Sequence, residues 1–269
     1  MPGAPEALYV DARRALLDAL DALQPHHAAI VLVGAQAVYV HAGDIESPVA
    51  PYTTDGDLGL DPALLAPLPT LDAAMRGAGF VLTDQPGIWL QAGGSLTVDL
   101  LVPEGIAAPG GRRGVRIEGH GRLAARKVKG LEGCLVDLDT VVFGALEAGD
   151  RRTFPIRVAG PAGLLVSKLH KLHERLQSGR QVESKNAYDI YRLLRATSTA
   201  DMAARYRHLL EDSRSEDVAG NAVAMLRDLF SGSDAPGSQL AASYVEFFGD
   251  APTVAAACVA LATDLLAAL

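Results

Sequence analysis

The 269-residue sequence predicts an α/β fold, a mixed sheet flanked by helices, followed by a helical C-terminal domain. Three observations carry that expectation. Up to about residue 160, short apolar or period-two runs alternate with segments of helical periodicity, the pattern of strands interleaved with helices. Glycine and proline punctuate those runs where turns are needed. Beyond Pro161 the apolar spacing is almost wholly helical. This divides the chain into an α/β domain over 1–160 and a helical domain over 161–269. No internal repeat is visible.

From Glu6 to Leu23 apolar positions recur at helical spacing, with Arg13, Arg14, Asp18 and Asp21 on the other face. Ala29 to Val33 is a continuous apolar run and reads as a buried strand. Gly34 follows and opens a helix from Ala35 to His41. A glycine between strand and helix lets a ligand approach the backbone, because no Cβ stands in the way. Gly43 to Thr54, with Pro48 and Pro51, reads as a loop, and Asp55 to Leu60 as a period-two strand. Asp61 and Pro62 suit the N-cap and first position of another helix. Phe80–Thr83, Ile88–Ala92 and Leu96–Val102 read as strands, the last closed by Pro103. Pro109 to Lys129 reads as a glycine- and arginine-rich loop passing into a short helix. Leu135–Val142 and Thr153–Val158 supply two more strands. The helical half is broken near Gly179, Thr197 and Ser231–Gly237.

Hydrophobic residues make up 49% and charged residues 21%, which excludes a disordered chain. A formal net charge of −8 means that the global field does not attract nucleic acid, so a polyanionic partner needs a local patch. Cys134 and Cys258 lie far apart without metal-ligand spacing and read as buried free thiols in a reducing cytoplasm. The first residues lack a basic region followed by an apolar run, so no signal peptide is expected. Thr253–Leu269, rich in small residues and interrupted by Asp264, is expected to be too short and too weakly apolar to span a bilayer. The expected compartment is the cytoplasm, with no membrane partner.

Asp55 and Asp57 stand two apart on an expected strand, so both carboxylates project from one face while Gly56 points away. Like charges that close repel, and a divalent cation with a taste for hard oxygen ligands, such as Mg2+, resolves the conflict. Asp99 sits in the apolar strand Thr97-Val98-Asp99-Leu100-Leu101, where a charge must be paired or bound to metal. Two carboxylates on one strand and a third on a neighbour suit two-metal phosphoryl transfer. Asp137 and Asp139 repeat the spacing without such support.

Val33-Gly34-Ala35-Gln36-Ala37, Thr53-Thr54-Asp55-Gly56-Asp57-Leu58 and Val98-Asp99-Leu100-Leu101 together resemble the nucleotidyltransferase superfamily. Within it the sequence is most similar to the AbiEii/MenT-type toxins of bacterial toxin–antitoxin systems. The resemblance implies that Gly34 and Ala35 touch the triphosphate of a bound NTP. It also implies that Asp55, Asp57 and Asp99 hold two Mg2+ ions, Asp99 with a metal or base role. Ala35 stands where the superfamily usually has serine, and the gap from Gly34 to Asp55 is longer than usual. In the second half, Lys168, Arg175, Lys185 and Asp189 match the order of a lysine helix, an arginine and a lysine–aspartate–x–x–aspartate helix. Asn186 replaces the first aspartate there, so Asp189 inherits the acidic role, ordering Lys168 or Lys185 by a salt bridge.

Lys168, Lys171 and Arg175 fall at i, i+3 and i+7, a single helix face whose cations could clamp phosphates. Arg112, Arg113, Arg116, Arg122, Arg126, Lys127 and Lys129 against the single acid Glu118 make a basic patch suited to an RNA backbone, or else a solvated loop. His170 and His173 are the only histidines spaced for zinc, and they lack a supporting ligand. The sequence therefore points to NMP transfer from an NTP to an acceptor hydroxyl. By resemblance the acceptor is the tRNA 3′ end and the role a toxin with a separate antitoxin partner. An antibiotic-type transferase and a catalytically silent binding protein on the same fold are the alternatives.

Overall fold

A computed structural model describes residues 7–43, 47–107, 113–179 and 183–269. It is a mixed α/β fold ending in a set of helices. The chain forms two compact units, the first comprising Met1–Ala37, Ala50–Val128 and Leu138–Val158. The second comprises Val38–Val49, Lys129–Asp137 and Ala159–Leu269.

The first unit is built on an eight-stranded sheet. Its strands are β1 (Ile30–Val33), β2 (Asp55–Leu60), β3 (Phe80–Leu82), β4 (Ile88–Gln91), β5 (Thr97–Pro103), β6 (Arg126–Val128), β7 (Leu138–Gly144) and β8 (Thr153–Ala159). They lie in the order β3-β4-β5-β2-β1-β8-β7, with β6 beside β5. β1 runs antiparallel to β2, whereas β2 and β5 are parallel. Four successive apolar residues make β1 buried throughout, and β5 is buried from Val98 onward, as central strands are. Helix α1 (Ala7–Ala22) packs on β2 and β5 through a stripe including Leu16 and Leu20. A Cβ on Gly56 would lie 2.9 Å from Leu16 Cδ1, so the glycine is what lets α1 approach β2. Helix α2 (Gly34–Ala42) begins at Gly34 with φ at 70°, a conformation open to glycine.

Two local expectations fail here. The helix foreseen after Asp61 is one 3₁₀ turn, Pro62–Leu64, with Asp61 accepting from the Ala63 N–H. Pro67 and Pro69 lie just ahead and exclude a helix. Helix α3 starts afresh at Leu71 and runs to Gly77, capped by Thr70. The short helix foreseen before Lys129 is instead strand β6, whose residues pair with Leu101–Pro103 of β5.

The second unit is helical: α4 (Pro161–Gln177), α5 (Ser184–Ala196), α6 (Thr199–Glu211), α7 (Glu216–Leu229), α8 (Pro236–Ser243) and α9 (Ala251–Ala268). Helix α4 packs against α5, α6 and α7. Asp137 has a structural task, accepting from the Ala162 and Gly163 N–H groups at 2.9 and 3.0 Å and pairing with Arg205 at 2.8 Å. It satisfies donors that the first turn of α4 leaves over and suits the positive end of that helix. Helix α9 overturns the expectation for the tail, being long and apolar enough by length and composition to cross a membrane. Val254, Ala255, Cys258, Ala262 and Leu265 are buried along one side of it, and it packs against α5, α6, α7 and α8. Both cysteines are buried free thiols, and burial pushes Cys258 up to about 12.

Candidate active site

The parallel register of β2 and β5 sets Asp57 directly beside Asp99, and Asp55 beside Thr97. Cross-strand partners share a face, as do residues two apart, so Asp55, Asp57 and Asp99 all project from one side of the sheet. Because Gly56 faces α1, the carboxylates occupy the side opposite that helix. Asp55 and Asp57 are half-buried, and Asp99 is 6% exposed.

Each carboxylate has identifiable neighbours. The Thr53 hydroxyl, itself buried, donates to Asp55 Oδ1 at 2.5 Å. The backbone carbonyl of Asp55 accepts from Gln36 Nε2 at 3.2 Å, and Gln36 Oε1 accepts from Arg13 Nε at 2.7 Å. Arg13 also donates to the Tyr9 hydroxyl at 2.7 Å and stacks 3.8 Å from the centre of the Phe143 ring. Burial lowers its pKa, against the opposing pull of Tyr9. A chain of contacts thus ties α1, the start of α2 and the backbone of Asp55 at the start of β2. Asp57 lies against Gly34, where a Cβ would sit 1.9 Å from Asp57 Oδ2. Ala35 is buried, 5% exposed. Asp99 Oδ2 accepts from Arg126 Nη2 at 2.5 Å.

Whether these residues suit Mg2+ can be judged from their donors and neighbours. Three hard oxygen donors on one face are the right chemistry, and the missing Cβ of Gly34 is what lets the Asp57 carboxylate lie against that backbone. Against this, among the described residues no three His, Cys, Asp or Glu side chains are grouped so as to hold a metal ion. Mg2+ is generally held by one or two carboxylates plus substrate phosphates rather than by an all-protein cage. Asp55 and Asp57 fit that pattern. Asp99 carries Arg126 on its Oδ2, a positive charge that opposes a cation on the same carboxylate.

In the helical unit, Lys168 Nζ donates to Asp189 Oδ2 at 2.7 Å, with Asn186 Oδ1 at 3.4 Å. This is the salt bridge foreseen for Asp189, and the partner is Lys168; Lys185 instead lies 5.9 Å from the Tyr39 ring centre. The single basic face foreseen on α4 is divided in its surroundings. Lys168 is 6% exposed, Lys171 is exposed, and Arg175 pairs with Glu183 at 2.8 Å. Burial is the largest single influence on Glu183 and raises its pKa, but the hydrogen bond and charge of Arg175, with Lys171 and Asn186, together bring it below the ordinary value. His170 is no zinc ligand in this arrangement: its Nε2 meets the Val218 carbonyl at 2.9 Å, and Gly130 lies against its ring.

Sequence reading missed Arg192, 3% exposed, whose guanidinium lies 4.8 Å from the Tyr188 ring centre and 3.9 Å from Asp189 Oδ1. Its i, i+3 spacing from Asp189 was the available signal. Of the basic patch, Arg113, Arg116, Arg122 and Lys129 are exposed, while Lys127 faces Glu104 at 3.8 Å. Arg112 lies outside the described residues.

No protein-family model matches the chain, and no curated protein matches it. A solution structure of the antibiotic-resistance factor ANT(2'')-Ia is similar over 78% of this chain and 95% of that one, at 12% sequence identity and a TM-score of 0.43. At that distance the chemistry rests on this chain's own residues.

Proposed function

We propose that this protein is a Mg2+-dependent nucleotidyltransferase that moves NMP from an NTP to an acceptor hydroxyl. The observation that supports it is the face shared by β2 and β5, with Asp57 beside Asp99, Asp55 two residues along, and Gly34 against Asp57. Asp55 and Asp57 would hold the cation, and Asp99 would join them when Arg126 yields. Bound Mg2+ would supply Lewis acidity to the α-phosphate and charge for the departing pyrophosphate. Gly34 would let the triphosphate lie close to the backbone at the start of α2, whose leading N–H groups favour anions. The acceptor oxygen bonds to the α-phosphorus as the bond to the β-phosphate oxygen breaks, and Asp99 takes the hydroxyl proton.

The acceptor in this proposal is the tRNA 3′ end, and the role is that of an AbiEii/MenT-like toxin in the cytoplasm, restrained by a separate antitoxin. Exposed Arg113, Arg116 and Arg122 in a chain of net charge −8 support an RNA partner over an amine-bearing small molecule. In the helical unit, Lys168 with its carboxylate partner Asp189, Lys171 and Arg175 are the residues to which the family resemblance would give a phosphate role. The test is incubation with each labelled NTP, Mg2+ and total tRNA, beside a small hydroxylated acceptor. Labelled tRNA from the wild type and none from Asp57→Ala is the expected result. Turnover by Asp57→Ala at the wild-type rate would overturn the metal assignment, and transfer to the small acceptor alone would overturn the RNA one.

A further inference from the structure

Arg126 is a cation already seated on the acidic face. It lies opposite Leu101 on β5, two residues from Asp99, so its side chain shares the side of the sheet that carries Asp55, Asp57 and Asp99. Its Nη2 meets Asp99 Oδ2 at 2.5 Å, with the Asp99 side chain 8% exposed and that of Arg126 30% exposed. Its Nε is buried without a hydrogen-bond partner. The backbone beneath is fixed, with the Arg126 N only 2.5 Å from where a Cβ on Gly87 would stand and the Lys127 N–H donating to the Arg113 carbonyl at 2.9 Å. Any movement therefore belongs to the side chain.

The guanidinium is bonded to Oδ2 of Asp99, and its positive charge beside the carboxylate repels a divalent cation drawn to the same group. We infer that Arg126 and a divalent cation compete for Asp99, and that metal binding releases the Arg126 guanidinium to contact the anionic phosphates of the nucleotide. Arg126 thus sets the metal affinity of the face, and its unused Nε donor is suited to an incoming anionic oxygen. This rests on the metal reading of Asp55, Asp57 and Asp99.

The probe is Mn2+, titrated into the full chain without nucleotide and followed by loss of the free-ion paramagnetic signal. Arg126→Gln should bind Mn2+ about tenfold more tightly than wild type, a gain worth about 1.4 kcal/mol, because competitor and repulsion both go. The same variant should bind a non-hydrolysable NTP analogue with Mn2+ more weakly. Arg126→Lys, which keeps the charge on a shorter fork-less stem, should fall between, and serves if Arg126→Gln does not fold. In the wild type, the Arg126 Nε–H resonance should shift on adding Mg2+. Equal or weaker Mn2+ binding by both variants overturns the competition while leaving the metal site standing. No Mn2+ bound by the wild type or either variant, with or without the NTP analogue, overturns the metal reading itself.

Discussion

On the face shared by β2 and β5, Asp55, Asp57 and Asp99 gather three like charges, whereas in the helical unit Lys168, Asp189 and Arg192 gather opposite ones. The first set is partly open to solvent and rich in hard oxygen donors. The second is closed, with Lys168 6%, Asp189 0% and Arg192 3% exposed. A like-charged face invites a cation from outside, because repulsion between its members falls when one binds. An opposite-charged buried cluster answers its own charges, and its removal is felt as lost folding energy. Asp55, Asp57 and Asp99 on the one hand and Lys168 and Asp189 on the other were marked out by sequence motifs, yet their burial assigns them different first tasks.

Asp189→Ala sharpens this contrast most. It leaves Lys168 and Arg192 buried without their carboxylate, which costs about 3–5 kcal/mol. Thermal denaturation should show a large fall in midpoint, while Asp57→Ala should melt close to wild type and lose turnover. Comparable melting of the two variants would break the comparison. The double variant Lys168→Met with Asp189→Leu replaces the pair by apolar side chains and should recover part of the stability, with Arg192 keeping its bonds to the Ser47 hydroxyl and the Val49 carbonyl. If Lys168 also serves the phosphates, that stable double variant stays inactive. Turnover restored together with stability would leave the pair as a core ion pair only.

How far the sequence foretold these sites follows from what kind of force sets each element. Asp55–Leu60 was legible residue for residue, because a period-two pattern with a small residue facing a helix is a local signature. Its parallel pairing with β5 was not, yet an acidic residue inside the apolar Thr97–Leu101 run announced that Asp99 needed a partner. The sequence could not say that the partner is Arg126, because β6 is a three-residue strand created by pairing with β5 rather than by its own propensity. The turn after Asp61 was legible and overlooked, since Pro67 and Pro69 forbid the helix that Asp61 and Pro62 begin. On α4, periodicity gave the shared face of Lys168, Lys171 and Arg175 but not the depth at which each lies.

A smaller effect concerns the acceptor. Arg126 and Lys127 already face Asp99 and Glu104, which leaves Arg113, Arg116 and Arg122 as exposed cations of the first unit's loop. Replacing these three by glutamine should flatten the dependence of tRNA affinity on salt by about 2–3 units of slope, since fewer counterions are released. Mn2+ binding to the acidic face should be unchanged. An unaltered slope would make this loop a solvated surface and direct the search to Lys171 and Arg175, with Arg180 outside the described residues.

The smallest expected effect is on stability against pH, and it tests whether the two units share a weakness outside their charged clusters. His26 in the first unit is fully buried, with Nε2 at the Pro69 carbonyl, Nδ1 without a partner and the His120 ring 5.4 Å away. Burial lowers its pKa, only partly opposed by the Pro69 carbonyl, and His120 lowers it further. His170 in the second unit is likewise lowered, first by burial, with the Val218 carbonyl opposing and Lys129 assisting. Both therefore take up protons more readily in the unfolded chain, whose histidines titrate near about 6.5. Stability from keeping them neutral is complete above that value and is lost as pH falls below it, until the depressed folded pKa values are reached. Glu183, held below its ordinary range chiefly by Arg175, and Asp212, pulled down to about 2 by hydrogen bonds from Arg214, stay ionised throughout this window and do not contribute. The urea midpoint should consequently fall between pH 7.5 and 5.5. His26→Gln and His170→Gln should each remove part of that fall, because a neutral amide has no proton to gain. A midpoint that is level or rises on acidification, or a fall that survives both substitutions together, would show that neither buried ring limits the fold.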